Sequence, residues 1–401
     1  MKKALSMLLA AAMCATVMAG CAGGDNGNAS TPDNGGNTAG EPQATATAGG
    51  TFKLGGTGPL TGGAAIYGNA AKNGAQIAVD EIKAEGGAVQ FELKYEDDEH
   101  DAEKAVNAYN ALKDWGMQIS LGSVTTKPGE ATSAENYADR IFALTPSASG
   151  PSVIEGKDNI YQMCFTDPNQ GTASAQYIAD QKLASKVAVI YKNDDPYSQG
   201  IYDKFKTEAA DKGLDIVSAT TFTDASANDF SVQLGEAKSA GADLLFLPMY
   251  YQPASLILKQ AKDMGYTPKF FGVDGMDGIL TLEGFDTALA EGVMLLTPFN
   301  ADATDDKTVS FVTKYKEQFG ETPNQFAADA YDCVYAYKAA LEAAGCTADM
   351  SNEDICDKLI AAFPALTFDG LTGEGMTWDS TGAVSKSPKG MVIQNGAYVG
   401  M

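Results

Sequence analysis

Two hydroxyl-bearing loops stand directly after buried strands, and their residue types suit the capture of a small charged molecule. The apolar run 141–144 predicts a buried strand, which Pro146 ends because proline lacks an N–H for the ladder. The small polar loop 147–151 follows, and a similar loop, 122–126, follows the predicted strand 118–121. Together, at the carboxyl ends of adjacent strands, they would form a clamp for a zwitterion. The alternative is two ordinary strand-to-helix turns with Ser and Thr caps.

A lone carboxylate occupies the corresponding place later in the chain. Asp274 stands at the tip of the predicted strand 269–273, where it could pair with an ammonium group across a cleft. A helix N-cap is the alternative for this aspartate. Four aromatic residues fall at turns or helix starts, where they could wall an apolar pocket or serve in packing alone: Tyr67, Tyr197, Tyr250 and Phe326.

The other motifs favour no catalytic chemistry. The glycine-rich turn 55–63 lacks the lysine of a phosphate-binding loop and the spacing of a dinucleotide fingerprint. The acidic run 96–101 lacks calcium-loop spacing and is typical of a solvated loop in which Asp101 caps the next helix. His100, the single histidine, has no partner nucleophile motif. We therefore predict a protein that is not an enzyme and that needs no cofactor or metal.

Charge and cysteine content exclude further classes. The formal net charge is −24 and no Lys/Arg cluster occurs, which argues against a nucleic-acid partner. Cys164 and Cys333 are predicted to be small buried hydrophobic residues. Cys346 and Cys356 flank a short acidic connection between helices, and both a disulfide and free thiols stay open.

The pattern of elements predicts an α/β fold with two lobes. After residue 50, predicted strands alternate with amphipathic helices, and a second array with the same alternation starts near Gln170. Two consecutive arrays of similar size indicate two doubly wound parallel-sheet lobes rather than one wide sheet. Beyond Thr367 the sequence pattern changes to short strands and turns. This pattern predicts that the chain ends in an antiparallel appendage packed against one lobe.

The first fifty residues are predicted to lie outside this fold. Residues 1–20 have a basic start and an apolar core too short for a spanning helix, which is typical of a signal peptide. The sequence Met18-Ala19-Gly20-Cys21 resembles a lipobox, which implies cleavage before Cys21 and lipidation of its sulfur. Residues 21–50 contain no aromatic or large aliphatic side chain and are predicted to form a flexible tether.

Seven short phrases, in this order, resemble the type I periplasmic binding fold, most of all the leucine/isoleucine/valine-binding family of ABC importer receptors. They are 58–62 with Tyr67-Gly68, 95–98, 121–126, 145–149, 195–200, 270–275 and, more weakly, 376–379. The resemblance implies a three-crossover hinge, with residues 51–166 and 298–385 in an N-terminal lobe and 167–297 and 386–401 in a C-terminal lobe.

The resemblance also implies roles for individual residues. Ser123 matches the hydroxyl that holds a ligand carboxylate, and Thr126 is a second candidate nearby. Ser147 and Ser149 match the pair that grips an amino-acid head group, and Asp274 takes the place of an ammonium-binding acid, usually glutamate. The four aromatic residues match positions around the ligand. Lys127 departs from the family's neutral residue and would admit an acidic ligand if it turned inward.

The function implied is that of a lipid-anchored, extracytoplasmic receptor of an ABC importer. It would close on a small amino acid, branched-chain or otherwise apolar, and present it to a membrane permease. Two alternatives stay open: a ligand-sensing receptor lipoprotein of the same fold, and a binder of a small molecule that is not an amino acid.

Overall fold

Apolar runs that suit buried strands alternate with amphipathic helices along the chain, and the computed structural model describes residues 48–401. The strands are β1 (Gly50–Gly58), β2 (Val89–Asp97), β3 (Ile119–Ser120), β4 (Ala143–Thr145), β5 (Ile160–Gln162), β6 (Lys186–Lys192), β7 (Asp215–Phe222), β8 (Leu244–Leu247), β9 (Lys269–Gly272), β10 (Met294–Thr297), β11 (Lys389–Gln394) and β12 (Ala397–Gly400). The helices are α1 (Ala65–Glu85), α2 (Ala102–Trp115), α3 (Thr126–Ala138), α4 (Pro151–Ile154), α5 (Asp167–Asp180), α6 (Pro196–Lys212), α7 (Ser231–Ala240), α8 (Tyr251–Asp263), α9 (Asp306–Phe319), α10 (Gln325–Ala344) and α11 (Asn352–Ala362).

The first sheet is wholly parallel and has the strand order β2-β1-β3-β4-β5. In such an order the chain turns back between β1 and β3, and ligands bind in the crevice at the carboxyl ends of the strands beside that point. The loop predicted to bind a ligand after β3 leaves the sheet at this place. Its first residue, Gly122, has a left-handed φ of 63°, which a side chain would disfavour.

The second sheet repeats the pattern. Its parallel strands have the order β7-β6-β8-β9-β10, and β11 and β12 then extend the β10 edge in antiparallel pairing. The antiparallel appendage predicted beyond Thr367 against one lobe is thus divided between two: residues 389–400 form a hairpin on the second sheet, whereas Trp378, in the antiparallel turns before it, donates its indole N–H to the carbonyl of Gln162 at the end of β5 (2.8 Å). β12, at the end of the described chain, is therefore the edge strand of the second sheet.

The chain passes between the two lobes three times. It does so between β5 and β6, between β10 and the helices that follow, and before β11. Helix α10 packs closely on α1, because Gly74 of α1 lies directly against the backbone carbonyl of Ala327. The predicted fold class, two doubly wound parallel-sheet lobes, is confirmed.

Several local predictions need correction. The strand predicted at 141–144 begins at Ala143, and β5 and α4 were not predicted, whereas α3 begins at Thr126 and contains Pro128 in its first turn. Proline is acceptable in a first helical turn because those N–H groups have no helical partner. In α2 the prediction is confirmed: Asp101 caps the helix by accepting hydrogen bonds from the backbone N–H groups of Glu103 and Lys104.

All four cysteines within residues 48–401 are buried and free, so the disulfide considered for Cys346 and Cys356 is not formed. No helix of the described chain is both long and apolar enough to cross a membrane. The predictions of a signal peptide, of lipidation at Cys21 and of most of the tether fall outside the described residues. At the end of the predicted tether, Gly50 already belongs to β1.

Candidate functional site

Side-chain hydrogen bonds fix the two loops at the carboxyl edge of the first sheet to each other. The hydroxyl of Thr145, the last residue of β4, donates to the carbonyl of Ser123 (2.6 Å) and accepts from the backbone N–H of Ala148 (3.0 Å). Gln162 at the end of β5 donates its amide to the carbonyls of Ala148 (2.7 Å) and Gly150 (3.1 Å). These bonds hold the backbone that carries Ser147 and Ser149.

On the second sheet, Asp274 lies two residues beyond the end of β9 and is the first residue of a short 3-10 turn whose N-cap is Val273, so the alternative of an N-cap role for Asp274 does not hold. One of its carboxylate oxygens, Oδ1, accepts a hydrogen bond from the hydroxyl of Tyr197 (2.5 Å) in the first turn of α6. Its backbone N–H donates to the side-chain oxygen of Gln170 (3.1 Å). Burial raises the pKa of Asp274 to about 6, although the Tyr197 hydrogen bond opposes the shift.

The two sheet edges face each other across one small cavity of about 10 Å³. Eight of the nine binding residues predicted from the sequence line it: Tyr67, Thr126, Ser147, Ser149, Tyr197, Tyr250, Asp274 and Phe326. Hydroxyls and loop backbone therefore stand on one side, a carboxylate stands on the other, and aromatic rings form the walls.

Ser123 lies apart from this cavity. Its hydroxyl donates to the carboxylate of Asp98 (2.6 Å), which also accepts from the backbone N–H of His100 (2.9 Å). Asp98 is fully buried, and burial raises its pKa to about 6 while the Ser123 hydrogen bond opposes the shift. The description of the acidic run as a solvated loop is therefore wrong for Asp98. The Ser123 hydroxyl points to Asp98 because a buried carboxylate requires hydrogen-bond donors.

The aromatic residues form a connected cluster around the cavity. Tyr197 and Tyr250 stack almost parallel at 4.6 Å between ring centroids, and Tyr67 packs on Phe326 at 4.4 Å. The Tyr67 hydroxyl donates to the carbonyl of Gly275 and accepts from the backbone N–H of Tyr251 (3.1 Å). A side chain of the first lobe thus bonds twice to the backbone of the second, which joins the lobes in this closed form.

Residues that sequence reasoning missed complete the surroundings of the cavity. Val124, Thr125 and Gly275 line it. His100 lies 2.9 Å (Nδ1 to Oγ1) from Thr125, and burial, followed by the positive charge of Lys192, lowers its pKa to about 4. His100 is therefore neutral at physiological pH. Its sequence signal was weak, because a single histidine without a partner motif indicates no particular role.

Asp167, the first residue of α5, was also missed. Its backbone N–H donates to the carbonyl of Ser149 (3.1 Å), and burial raises its pKa well above the usual range. Its position before Pro168 suggested only a helix start. Lys127, whose orientation was left open, is exposed to solvent. Within residues 48–401 no group of three or more His, Cys, Asp or Glu side chains is arranged to hold a metal ion.

Such an arrangement, with two lobes closed on a cavity that offers hydroxyls and loop backbone on one side and a carboxylate on the other, defines a binding protein that captures small molecules between its lobes. The profile of the family described as periplasmic binding protein matches residues 51–395. The chain therefore belongs to the periplasmic binding protein family, as the resemblance implied.

Similar proteins agree with this family. The chain is 28% identical over 294 residues to Leu/Ile/Val-binding protein homolog 3 of Brucella melitensis, covering 73% of this chain and 78% of that protein. It is similar to the crystal structure of a leucine binding protein from Thermotoga maritima (26% identity, 87% of this chain and 97% of that one, TM-score 0.77). It is equally similar to a branched-chain amino acid transporter substrate binding protein from Streptococcus pneumoniae in complex with isoleucine (26% identity, 88% and 100%, TM-score 0.77).

Proposed function

We propose that the protein is the substrate-binding lipoprotein of an ABC importer and captures a free amino acid, branched-chain or otherwise apolar, between its lobes. The observation that carries the proposal is that the Ser147/Ser149 loop and the carboxylate of Asp274 line the same cavity from opposite lobes. The names of the relatives, which refer to leucine, isoleucine and valine, support an α-amino acid as the guest.

Binding follows from the charges of such a guest. Its carboxylate is positioned against the hydroxyls and loop N–H groups of Thr126, Ser147 and Ser149, and its ammonium group against Asp274. Hydrogen bonds that involve a charged partner are about twice as strong as neutral ones, and exclusion of water strengthens them further. Neither lobe offers both half-sites alone, so the guest favours the closed form.

Closure also supplies the signal for transport. Residues 51–166 with 298–385 form the N-terminal lobe in this proposal, and 167–297 with 386–401 form the C-terminal lobe. A permease in the membrane would recognise the shape that both lobes adopt around the guest. A lipid on Cys21, on the outer side of the cytoplasmic membrane, would keep the receptor near that permease.

Asp274→Asn tests the site. The substitution keeps the shape and removes the charge that faces the ammonium group, so the affinity for the best amino acid should fall by about 10- to 150-fold, the equivalent of about 1.5–3 kcal/mol for a hydrogen bond to a charged group. Isothermal titration calorimetry against the twenty amino acids gives the measurement, with benzoate, a carboxylate that lacks an ammonium group, as the comparison for a guest that is not an amino acid.

Asp243→Asn is the matched control, because Asp243 precedes β8 at the opposite end of the same sheet and accepts bonds from backbone N–H groups there. It should leave affinity unchanged. Undiminished affinity in Asp274→Asn, or tighter binding of benzoate than of any amino acid, would refute the proposal.

A further inference from the structure

The loop after β2 holds His100 in an unusual backbone conformation. Glu99 and His100 both have a positive φ, of 50° and 60°, which residues other than glycine seldom adopt. The carboxylate of Asp97 supports this turn by accepting a hydrogen bond from the backbone N–H of Glu99 (2.9 Å). Asp98 does the same for the backbone N–H of His100 (2.9 Å). Because such strain concentrates at functional sites, it directs attention to where the His100 side chain is placed.

The His100 ring contacts both lobes. On the side of the first sheet, its Nδ1 lies 2.9 Å from the hydroxyl oxygen of Thr125, which lines the cavity. On the side of the second sheet, the ring packs edge-on against that of Tyr250, the N-cap of α8, with 5.4 Å between centroids. Tyr250 lines the same cavity and stacks on Tyr197, which donates to Asp274. His100 therefore connects the hydroxyl loop of one lobe to the rings that hold the carboxylate of the other.

Charged groups of both lobes face this ring. On the second lobe, Lys192 at the end of β6 pairs with Asp224 beyond β7 (2.5 Å). On the first lobe, Lys127 of α3 and Asp101 before α2 lie nearby. Burial, followed by the positive charge of Lys192, lowers the pKa of His100 to about 4 in this closed form. Separation of the lobes would remove Lys192 and Asp224 and admit water, so the pKa should return towards its ordinary value of about 6.5.

We propose, on the basis of the proposed function, that His100 is a positioning residue for lobe closure and favours the closed form only while its imidazole ring is neutral. A protonated ring would carry its charge into a half-buried contact beside Lys192, which is unfavourable. Protons therefore bind preferentially to the open form, and acid shifts the population towards it. A guest that needs the closed form is released as His100 becomes protonated.

The chain contains a single histidine, which makes a direct test possible. Proton NMR on the full chain, purified without a histidine tag, follows one imidazole resonance through a pH titration. The titration is made without a guest and with saturating amounts of the amino acid that binds most tightly in calorimetry. With the guest, the pKa of His100 should lie at least about one pH unit below that of the free protein, which should be near about 6.5. Equal pKa values in the two titrations would overturn the inference.

Calorimetry at about pH 7.5 and about pH 5.5 measures the effect on affinity. With a pKa of about 6.5 in the open form and about 4 in the closed form, the wild-type chain should lose about tenfold more affinity over this interval than His100→Phe. His100→Phe keeps a ring against Tyr250 but cannot be protonated, and His100→Gln keeps a hydrogen-bonding group beside Thr125. Protonation of Asp274 weakens binding in all three proteins alike, so it does not affect this comparison.

The outcomes separate this inference from the proposal beneath it. A parallel loss of affinity in the wild-type chain and both variants would overturn the role of His100 and leave the proposed function standing. Failure of all twenty amino acids to bind at about pH 7.5 would overturn both. Should His100→Phe not fold, His100→Gln gives the same comparison, and the titration of the wild-type histidine decides in any case.

Discussion

Breaking the buried ion pair near the third interlobe crossing should destabilise the protein strongly. Lys386 Nζ lies 2.6 Å from Oδ1 of Asp329, and the side chains are 0% and 3% exposed. The same ammonium group donates to the hydroxyl of Thr372 (2.6 Å), which in turn donates to the carboxylate of Asp332 (2.6 Å). Lys386 is thus the cation that two buried carboxylates share, one directly and one through a hydroxyl.

Lys386→Met removes this charge and keeps much of the volume. Removing one partner of a buried pair typically costs about 3–5 kcal/mol, because the other charge stays buried without compensation. Urea unfolding should therefore show a loss of about 3–5 kcal/mol in the free energy of unfolding at neutral pH. The matched control is Lys259→Met. Its pair with Asp263 is exposed, and its loss should be below about 1 kcal/mol.

The loss should also depend on pH in a defined direction. Burial raises the pKa of Asp329 above its unfolded value, and Lys386 opposes that rise. A group with a raised folded pKa stabilises the fold below its unfolded pKa and loses that contribution as pH rises through the folded pKa. Without Lys386 the folded pKa rises further, so the loss should be larger near about pH 8 than near about pH 5.

Two results would refute this reasoning. One is a loss below about 1 kcal/mol for Lys386→Met, and the other is a loss that grows as the pH is lowered. The double variant Lys386→Met/Asp329→Leu provides a further check. It removes both members of the pair but leaves Asp332 buried without the shared cation, so it should recover only part of the stability.

Three further predictions concern the site and the packing of the first lobe. Burial raises the pKa of Asp274 to about 6, and only its ionised carboxylate attracts an ammonium group. The contribution of Asp274 to amino-acid affinity should therefore be constant above about pH 7 and fall up to tenfold per pH unit below about 6. Calorimetry that shows no loss of affinity in acid would contradict this prediction. Tyr67→Phe removes two hydrogen bonds across the cleft and should weaken ligand binding about 5- to 100-fold in calorimetry. The far-UV circular dichroism spectrum should change little. Full affinity in this variant would show that these bonds do not hold the closed form. Gly74→Ala would place a methyl carbon 1.9 Å from the carbonyl oxygen of Ala327 and should lower the free energy of unfolding in urea by about 1–3 kcal/mol. The control Gly235→Ala adds a methyl group with nothing within 4 Å and should leave that free energy unchanged or raise it. Equal effects of the two substitutions would contradict the packing of α1 on α10.

The sequence predicted most of the elements because strand and helix periodicities are local properties. It also located most of the cavity wall, since residues that follow parallel strands must gather at one edge of the sheet. Asp274 and Ser149 were found in this way, although they lie more than a hundred residues apart in the chain. The strand β5 was missed because its three residues, Ile160–Gln162, include a glutamine and are too few to show a period.

Side-chain direction was harder to predict than position. Ser123 occupies the predicted loop, but its hydroxyl turns to Asp98, a residue of a different loop that lies 25 positions earlier. Nothing local in the sequence shows that Asp98 is buried and needs a donor. Likewise, Tyr250 stacks on Tyr197 at the cavity wall, a contact between two elements whose relative placement only the folded chain defines.

The position of α10 in the chain has a consequence for biosynthesis. All strands of the first sheet lie between Gly50 and Gln162, yet the helix that covers α1 begins only at Gln325, about 160 residues later. At about 5–20 residues per second, a ribosome needs roughly 8–30 s to make that interval. During this time the apolar face of α1 lacks its partner and is prone to aggregation, so the nascent chain should depend on a holding chaperone until α10 has emerged.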